Sequence, residues 1–465
     1  MFGPQPRFLL YLLALSLSPA ALAEDWPTFR HDFGRTGSTV ENLRPPLFHL
    51  WRHRSAHAPR AAWPAPARRD IWNQHEGLQP EITFDRAYHT SVVEGLLYYA
   101  SSADDHVVCL DLADGALRWS FITDGPVRLS PTVVAGRVYV GSDDGCVYCL
   151  DAGSGGLLWR RQVAPQTRFI PGNGRMISAW PVRCGIVVEE GVVYCCAGLF
   201  PGEGVYVAAL EAETGAVRWC ENCDSISPQG HLVASASRLF VPTGRTAPVP
   251  FGRADGKQLG GHYGGGGGTF ALVTEETLIS GPGRMEPTVD FRDVSGAQSL
   301  AAFRGLHLVV AGGMSYLHSG KGISALDRRE WVRLARERNE LQKTKTGVAE
   351  RLKTAKDSGA AEEAQRAQAE VEDLNERIGD IVERQEACTL WNVPSQEPYA
   401  MILAGDTLFC GGDGLVAAYS AGDGGSLWSA EVEGRAYGLC VANGVLIVST
   451  DRGVIDCFGP REGSQ

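Results

Sequence analysis

Positive charge is scarce in this 465-residue chain: 43 Lys and Arg stand against 54 Asp and Glu, a formal charge of −11. Nucleic-acid binding requires a basic footprint, and this composition supplies none. After residue 23 no apolar run reaches the ~20 residues that cross a bilayer as a helix. The sequence carries no HExxH, no Ser/His/Asp set and no paired-carboxylate motif, although a triad drawn from distant loops leaves no linear signature. Neither Cys146-x-x-Cys149 nor Cys220-x-x-Cys223 is followed by His, which excludes c-type haem attachment. No further Cys-x-x-Cys has the spacing of structural zinc, so no metal site is expected. The glycine run at 260–261 and 264–268 lacks the Lys-Ser/Thr that completes a phosphate loop.

Glycine itself is abundant, at 56 residues, and 11 tryptophans are present. Glycine costs roughly 1 kcal/mol against alanine inside a helix, so the composition favours short strands joined by turns. The chain opens with Arg7, an apolar core from Phe8 to Leu17 and the small-residue site Ala21-Leu22-Ala23. Residues 1–23 therefore read as a signal peptide, and the protein as exported, periplasmic or extracellular, with no transmembrane segment.

A repeat dominates the rest of the chain. Gly95, Tyr98, Leu110-Asp111, Gly115 and Trp119 reappear as Gly136, Tyr139, Leu150-Asp151, Gly155 and Trp159. They recur as Gly191, Tyr194, Leu210-Glu211, Gly215 and Trp219, and again as Gly405, Phe409, Gly424 and Trp428. The intervals from first glycine to tryptophan are 24, 23, 28 and 23 residues. Apolar alternation between these anchors is a strand pattern. Weaker copies begin near Leu232, Thr269, Leu300 and Leu439, and the last stops before any tryptophan. Leu50-Trp51-Arg52 supplies the missing piece, so a strand near 47–54 is expected to close the final blade and leave no open sheet edge. The expected fold is an all-β propeller over 24–465, eight-bladed by motif count with seven as the alternative.

Residues 328–388 break the pattern. They contain almost no glycine, and Leu334, Leu341, Val348 and Leu352, then Val371, Leu374, Ile378 and Ile381, recur at helical spacing. Ten basic and four acidic residues in 328–356 oppose three and ten in 357–388. The segment reads as an antiparallel coiled-coil hairpin inserted between the third and fourth strands of blade six, whose tryptophan comes after it at Leu390-Trp391. Such an arm suits a protein partner or self-association.

Strand order then places the loops. Segments entering each first strand, together with the second-to-third loops, share one face, and they hold Arg86, His89, Arg128, Arg175, Arg183, Gln229, Arg245 and Arg284. An arginine-lined channel mouth would attract an anionic small molecule or glycan. The alternative is that these arginines pair with neighbouring acids such as Asp104, Asp143, Asp144 and Asp413. The hairpin is expected on the opposite face. The long connection from Asn42 to Asp85 is read as a lid on the arginine side.

The phrases Val-Tyr-Val-Gly-Ser-Asp-Asp-Gly (138–145), Leu-Asp-Ala-x-x-Gly-x-Leu-x-Trp (150–159) and Asp-Trp-Pro-Thr-Phe-Arg (25–30) resemble PQQ-like β-propeller repeat proteins. That group includes quinoprotein alcohol dehydrogenases and the outer-membrane assembly protein BamB. The resemblance implies the propeller fold and leaves function open, because the repeat packs strands. In the dehydrogenases a disulfide between neighbouring cysteines stacks on PQQ, which makes Cys195-Cys196 the one candidate cofactor feature. No calcium-ligand set or catalytic aspartate motif of those enzymes accompanies it. The leading expectation is a non-catalytic binding or scaffold propeller without a cofactor. The alternatives are a PQQ-dependent oxidoreductase and an enzyme acting on anionic polysaccharide.

Overall fold

The computed structural model describes residues 23–63, 82–172, 174–244, 246–260, 268, 270–274, 277–281, 288–295 and 299–461. Within them the chain is mostly β, with two long helices. The expected signal peptide, apart from Ala23, lies outside the described residues.

Antiparallel sheets succeed one another along the chain. Sheet 1 consists of Ser91–Val93, Leu96–Ser101, His106–Asp111 and Leu117–Ile122, each paired with the next. Four-stranded sheets of the same order occupy 132–162 (sheet 2), 187–223 (sheet 3), 270–304 (sheet 5) and 307–394 (sheet 6). Sheet 4, over 233–252, has three strands and one further bridge from Phe251 to Gln258. In sheet 7 (400–431) the outer strand belongs to Ser426–Ala442, which runs on to become the first strand of sheet 8. Sheet 8 ends with Val454–Gly459, and Phe48–Arg54 pairs antiparallel along it.

A bulge in the outer strand recurs, and the residue behind it carries the packing. In sheets 1, 2, 3, 6, 7 and 8 that residue is Trp119, Trp159, Trp219, Trp391, Trp428 and Trp51. Each indole N–H donates to a carbonyl of the next sheet. Trp119 reaches Ala152 at 2.9 Å, Trp159 reaches Ala212 at 3.0 Å, and Trp51 of sheet 8 reaches Leu112 of sheet 1 at 2.8 Å. The ring face lies on the glycine of the turn beyond. A methyl on Gly155 would come within 2.5 Å of Trp119, and φ there is +71°, so only glycine fits on both counts. The pairing buries an aromatic body while satisfying its one polar atom.

Sheet 5 departs from this rule. Ala301 stands behind the bulge where six other sheets have tryptophan, and three-stranded sheet 4 carries none among the described residues. The sequence expectation of a sixth repeat starting near Leu300 is corrected accordingly, because Ser299–Arg304 is the outer strand of sheet 5. The turn of sheet 6 that would receive an indole from Ala301 is replaced by the helical hairpin, α1 Arg328–Asp357 and α2 Ala361–Glu386. Asp327 caps α1 by accepting from Glu330 N at 3.0 Å. One turn later Trp331 packs edge-on against Phe303 of sheet 5 at 5.0 Å. The hairpin thus returns an indole to the sheet that lacks one. Arg336 pairs with Asp293, and Asn339 donates to Ser299 O, so three turns of α1 lie on sheet 5. Beyond them Val348, Ala367 and Leu374 form a separate small core between the helices. Arg351–Glu370 and Arg384–Glu330 cross between helices, whereas Arg333, Lys343, Arg366 and Arg377 pair within their own helix.

A ribbon near the N-terminus meets every sheet in turn. Asn443 of sheet 8 donates to Glu24 O, Trp26 exchanges hydrogen bonds with Val92 of sheet 1, and Val133 of sheet 2 donates to Pro27 O. Arg35 donates to Ile186 O beside sheet 3. Ala234 of sheet 4 then bonds Phe33 O, Val273 of sheet 5 Gly34 O, Val310 of sheet 6 Thr36 O and Leu403 of sheet 7 Gly37 O. Groups on the first strands that would otherwise face an unpaired edge are satisfied this way. Arg35 is fully buried and bonds the carbonyls of Leu232 and Phe29 as well, fixing the ribbon's bend.

Trp331→Ala is expected to destabilise the protein by about 3–5 kcal/mol in urea unfolding, as for loss of a buried aromatic, with Trp331→Phe retaining most of the stability. A change within ~0.5 kcal/mol, as at an ordinary surface position, would show that the hairpin base carries no packing load.

Candidate functional site

The sequence-derived site residues separate into two groups. Arg128 and Arg183 are buried side by side on Asp143. Arg183 donates from Nε to Oδ1 at 2.8 Å and from Nη2 to Oδ2 at 2.9 Å, and Arg128 Nε reaches Oδ2 at 2.7 Å. Arg128 Nη1 also meets Asp85 Oδ2 at 3.1 Å and Arg60 O at 2.8 Å. Burial alone would push the Asp143 carboxyl up, but Arg183 and Arg128 together hold it below the usual carboxylate range. Arg175 likewise pairs with Asp105 and donates to Ala103 O at 3.1 Å. These three arginines are therefore paired with acids and not free around a mouth; of the acids named from sequence Asp143 takes part, and Asp85 and Asp105 from other loops complete the pairs. Opposite charges so close in a dry setting satisfy each other before any ligand arrives.

The chain's own segment 55–63 sits on this network. Ala62 N donates to Asp85 Oδ2 at 2.6 Å, and Trp63 lies over Arg183 while donating to Gln229 Oε1 at 3.3 Å. Gln229 is thus buried beneath the segment. Arg245 and Arg284 lie outside the described residues.

Arg86 and His89 belong to the second group, which lines a cavity of about 290 Å³ beside the ribbon. Sheets 1, 4, 5, 6, 7 and 8 or their flanking residues all reach it. Arg86 stands over the Tyr437 ring at 5.3 Å, and Tyr399 lies 4.8 Å from Tyr437. Phe29 of the ribbon stacks on His231 at 3.6 Å and meets His89 edge-on at 4.9 Å. Burial lowers His89 to about 4 and His307 to about 3, so both are neutral near pH 7. His307 Nε2–H donates to Pro398 O at 3.0 Å. Arg30 contributes a buried guanidinium bonded to Arg35 O and Thr36 O, lowered by burial to about 10 and still charged. The cavity is aromatic with cationic edges, a setting for a small planar or anionic molecule. His231, His307, Tyr399 and Tyr437 were not singled out from sequence as ligand residues; only Tyr437, as a neighbour of Arg435, lay in a segment assigned to this face.

The cysteine pair that the family resemblance would set against PQQ does not fit that role. Cys195 and Cys196 sit inside the second strand of sheet 3, both buried and both free thiols. Cys196 N donates to the sulfur of Cys184 at 2.8 Å, and neither residue lines the cavity. Burial pushes both thiols well up. Among the described residues no group of three or more His, Cys, Asp or Glu is placed to hold a metal ion. Cys220 and Cys223 point to opposite faces of strand Val217–Cys223, one exposed and one buried, and both are free thiols.

Asp143→Asn is expected to cost about 3–5 kcal/mol, because it leaves two buried guanidiniums on a neutral partner. The wild-type contribution, set by a depressed carboxyl pKa, is fully present above the unfolded value near 3.9 and is lost as pH falls through the lower folded value. Urea melts of both proteins between pH 2 and 7 check this; equal stabilities at pH 7 would contradict it.

A family model described as outer membrane protein assembly factor BamB matches residues 51–194. No curated protein matches the chain. Among solved structures, the computationally designed Ika8 protein aligns with a TM-score of 0.56 at 11% identity, covering 82% of this chain and 98% of that one. Quinohemoprotein alcohol dehydrogenase ADHIIG from Pseudomonas putida HK5 gives 0.58 at 13% identity, over 95% and 81%. The quinohemoprotein alcohol dehydrogenase of Comamonas testosteroni gives 0.57 at 14%, over 94% and 80%. At such identities the likeness speaks for the fold alone. No helix among the described residues is long and apolar enough to cross a membrane. By its repeats, by the family-model match over residues 51–194 and by its fold, the chain is similar to PQQ-like β-propeller repeat proteins.

Proposed function

We propose that the eight sheets are blades of one closed propeller, sealed by Phe48–Arg54, and that the protein is an exported, non-catalytic scaffold. In this reading residues 24–461 form one body, the hairpin is its arm for a protein partner, and the cavity at Arg86 and His89 takes a small anionic ligand. The tryptophans of six of the eight sheets each engaging the next, with Trp51 of sheet 8 engaging sheet 1, support closure. The observation that carries the scaffold reading is the hairpin itself. Its first three turns are bound to sheet 5 and Leu341 packs on both the sheet 5 cluster and the helix pair, while Val348, Ala367 and Leu374 farther out form a core of the two helices' own. A rigidly based, highly charged projection contributes little to the ring beyond its root and fits recognition of another molecule.

The quinoprotein reading is disfavoured by the placement of Cys195 and Cys196, which cannot stack on a ligand at the cavity without unpicking sheet 3. Recognition of acidic glycan by Arg128 and Arg183 would first require displacing segment 55–63 and breaking the ion pairs to Asp143.

A photo-crosslinking amino acid at Lys353, on the outer arm, is expected to give a discrete protein adduct in the native exporting cell. The same probe at Lys257, on sheet 4, is expected to give none. Shortening the arm between residues 343 and 373, with the base retained, should abolish the adduct and leave the melting temperature within a few degrees. Absence of an adduct from the arm, or PQQ- and calcium-dependent dye reduction by the purified protein, would contradict the proposal.

A further inference from the structure

The start of the ribbon presents a buried carboxylate with no counter-charge. Glu41 is 2% exposed, and its Oε2 accepts from Glu24 N at 2.7 Å and from Asn443 N at 3.0 Å. Its Oε1 accepts from Gly444 N at 2.5 Å. All three donors are peptide N–H groups, and no Lys or Arg among the described residues pairs with it. Other charges facing the spot are mostly negative. The Glu24 side chain accepts from Val40 N at 3.2 Å, and Asp25 accepts from Glu94 N at 3.0 Å. His31, 3.4 Å from Glu24 Oε2, is the basic side chain at this corner. An ionised carboxylate held in a dry site by neutral donors alone is costly.

One of these three peptide nitrogens, at 2.7 Å, lies in the bond between Ala23 and Glu24. Ala23 is exposed, and Ala21 and Ala23 are the small residues that suit an exporting endopeptidase. We propose that cleavage between Ala23 and Glu24 converts this contact into a buried ion pair, the new α-ammonium of Glu24 seated on Glu41. Water adds across the C–N bond under the endopeptidase. Ala23 leaves as a carboxylate, and the Glu24 amine takes up a proton, since an α-amino group titrates near 8. The nitrogen is already 2.7 Å from its acceptor, so no chain movement is needed. Maturation then supplies the missing counter-charge and locks the ribbon to the Asn443–Gly444 turn of sheet 8. The inference rests on the export reading but fails separately from it.

Four chains test it: one beginning at Glu24, one retaining Leu22-Ala23 with an acetylated amine, and the Glu41→Gln form of each. The chain beginning at Glu24 is expected to melt a few degrees higher than the extended chain, and Glu41→Gln should erase that difference. Equal melting temperatures, or a difference that survives Glu41→Gln, would overturn the ion pair. Should Glu41→Gln not fold, the acylation rate of the Glu24 amine against pH gives the answer instead. A pKa raised above ~8 supports the pair, and an ordinary or lowered one contradicts it. N-terminal sequencing of the exported protein distinguishes the two levels. A start at Glu24 is expected. Export with a different start overturns this inference and leaves the scaffold reading standing, whereas a protein retained uncleaved in the cytoplasm defeats both.

Discussion

The backbone edge at the start of each sheet is the constraint on which the rest depends. A sheet whose first strand ends in free N–H and C=O groups near an axis must pair them or lose their hydration for nothing. Here one ribbon of the chain meets that demand sheet by sheet, from Glu24 at sheet 8 round to Gly37 at sheet 7. Arg35 makes the circuit possible, because its guanidinium bonds four separate carbonyls and one hydroxyl inside the bend. The same ribbon sets Phe29 and Arg30 into the cavity, so the element that satisfies the inner edges also shapes the candidate ligand site.

Tryptophans perform the complementary task at the outer strands. Each joins its sheet to the next through one hydrogen bond, and all but Trp428 add a glycine contact, a local interaction repeated rather than a shared central core. Where the repeat is interrupted, at sheet 5, the hairpin supplies Trp331 to the position Ala301 leaves empty. The insertion is therefore tied into the body at its root and independent of it at its tip. That division suits a molecule whose body is rigid and whose contacts with others are made at a distance from the cavity.

Much of this was legible in the residues. The periodic glycine, aromatic and tryptophan positions carried the sheets, because each marks a turn or a packed outer strand with a fixed spacing. Leu50-Trp51-Arg52 matched a strand end and indeed pairs with Val454–Gly459. The helices at 328–388 were visible through their spacing and lack of glycine. The ribbon was not legible. Asp25 to Arg30 stood out as a family phrase, but carbonyl acceptors leave no side-chain pattern to read. The fate of Arg128 and Arg183 was also hidden, since Asp143 and Asp85 reach them only after folding, and both pairing and ligand attraction fit the same sequence. Ala301 concealed the repeat of sheet 5 because the tryptophan that marks it comes from a different segment.

Amide hydrogen exchange tests the central claim most directly. If the ribbon closes the inner edges, the amides of Val133, Ala234, Val273, Val310 and Leu403, one from each of five sheets, should exchange only with global unfolding, as slowly as the middle strands. Fast exchange at these five positions while the middle strands stay protected would mean that the ribbon does not hold the sheets together, and the account built on it would fall.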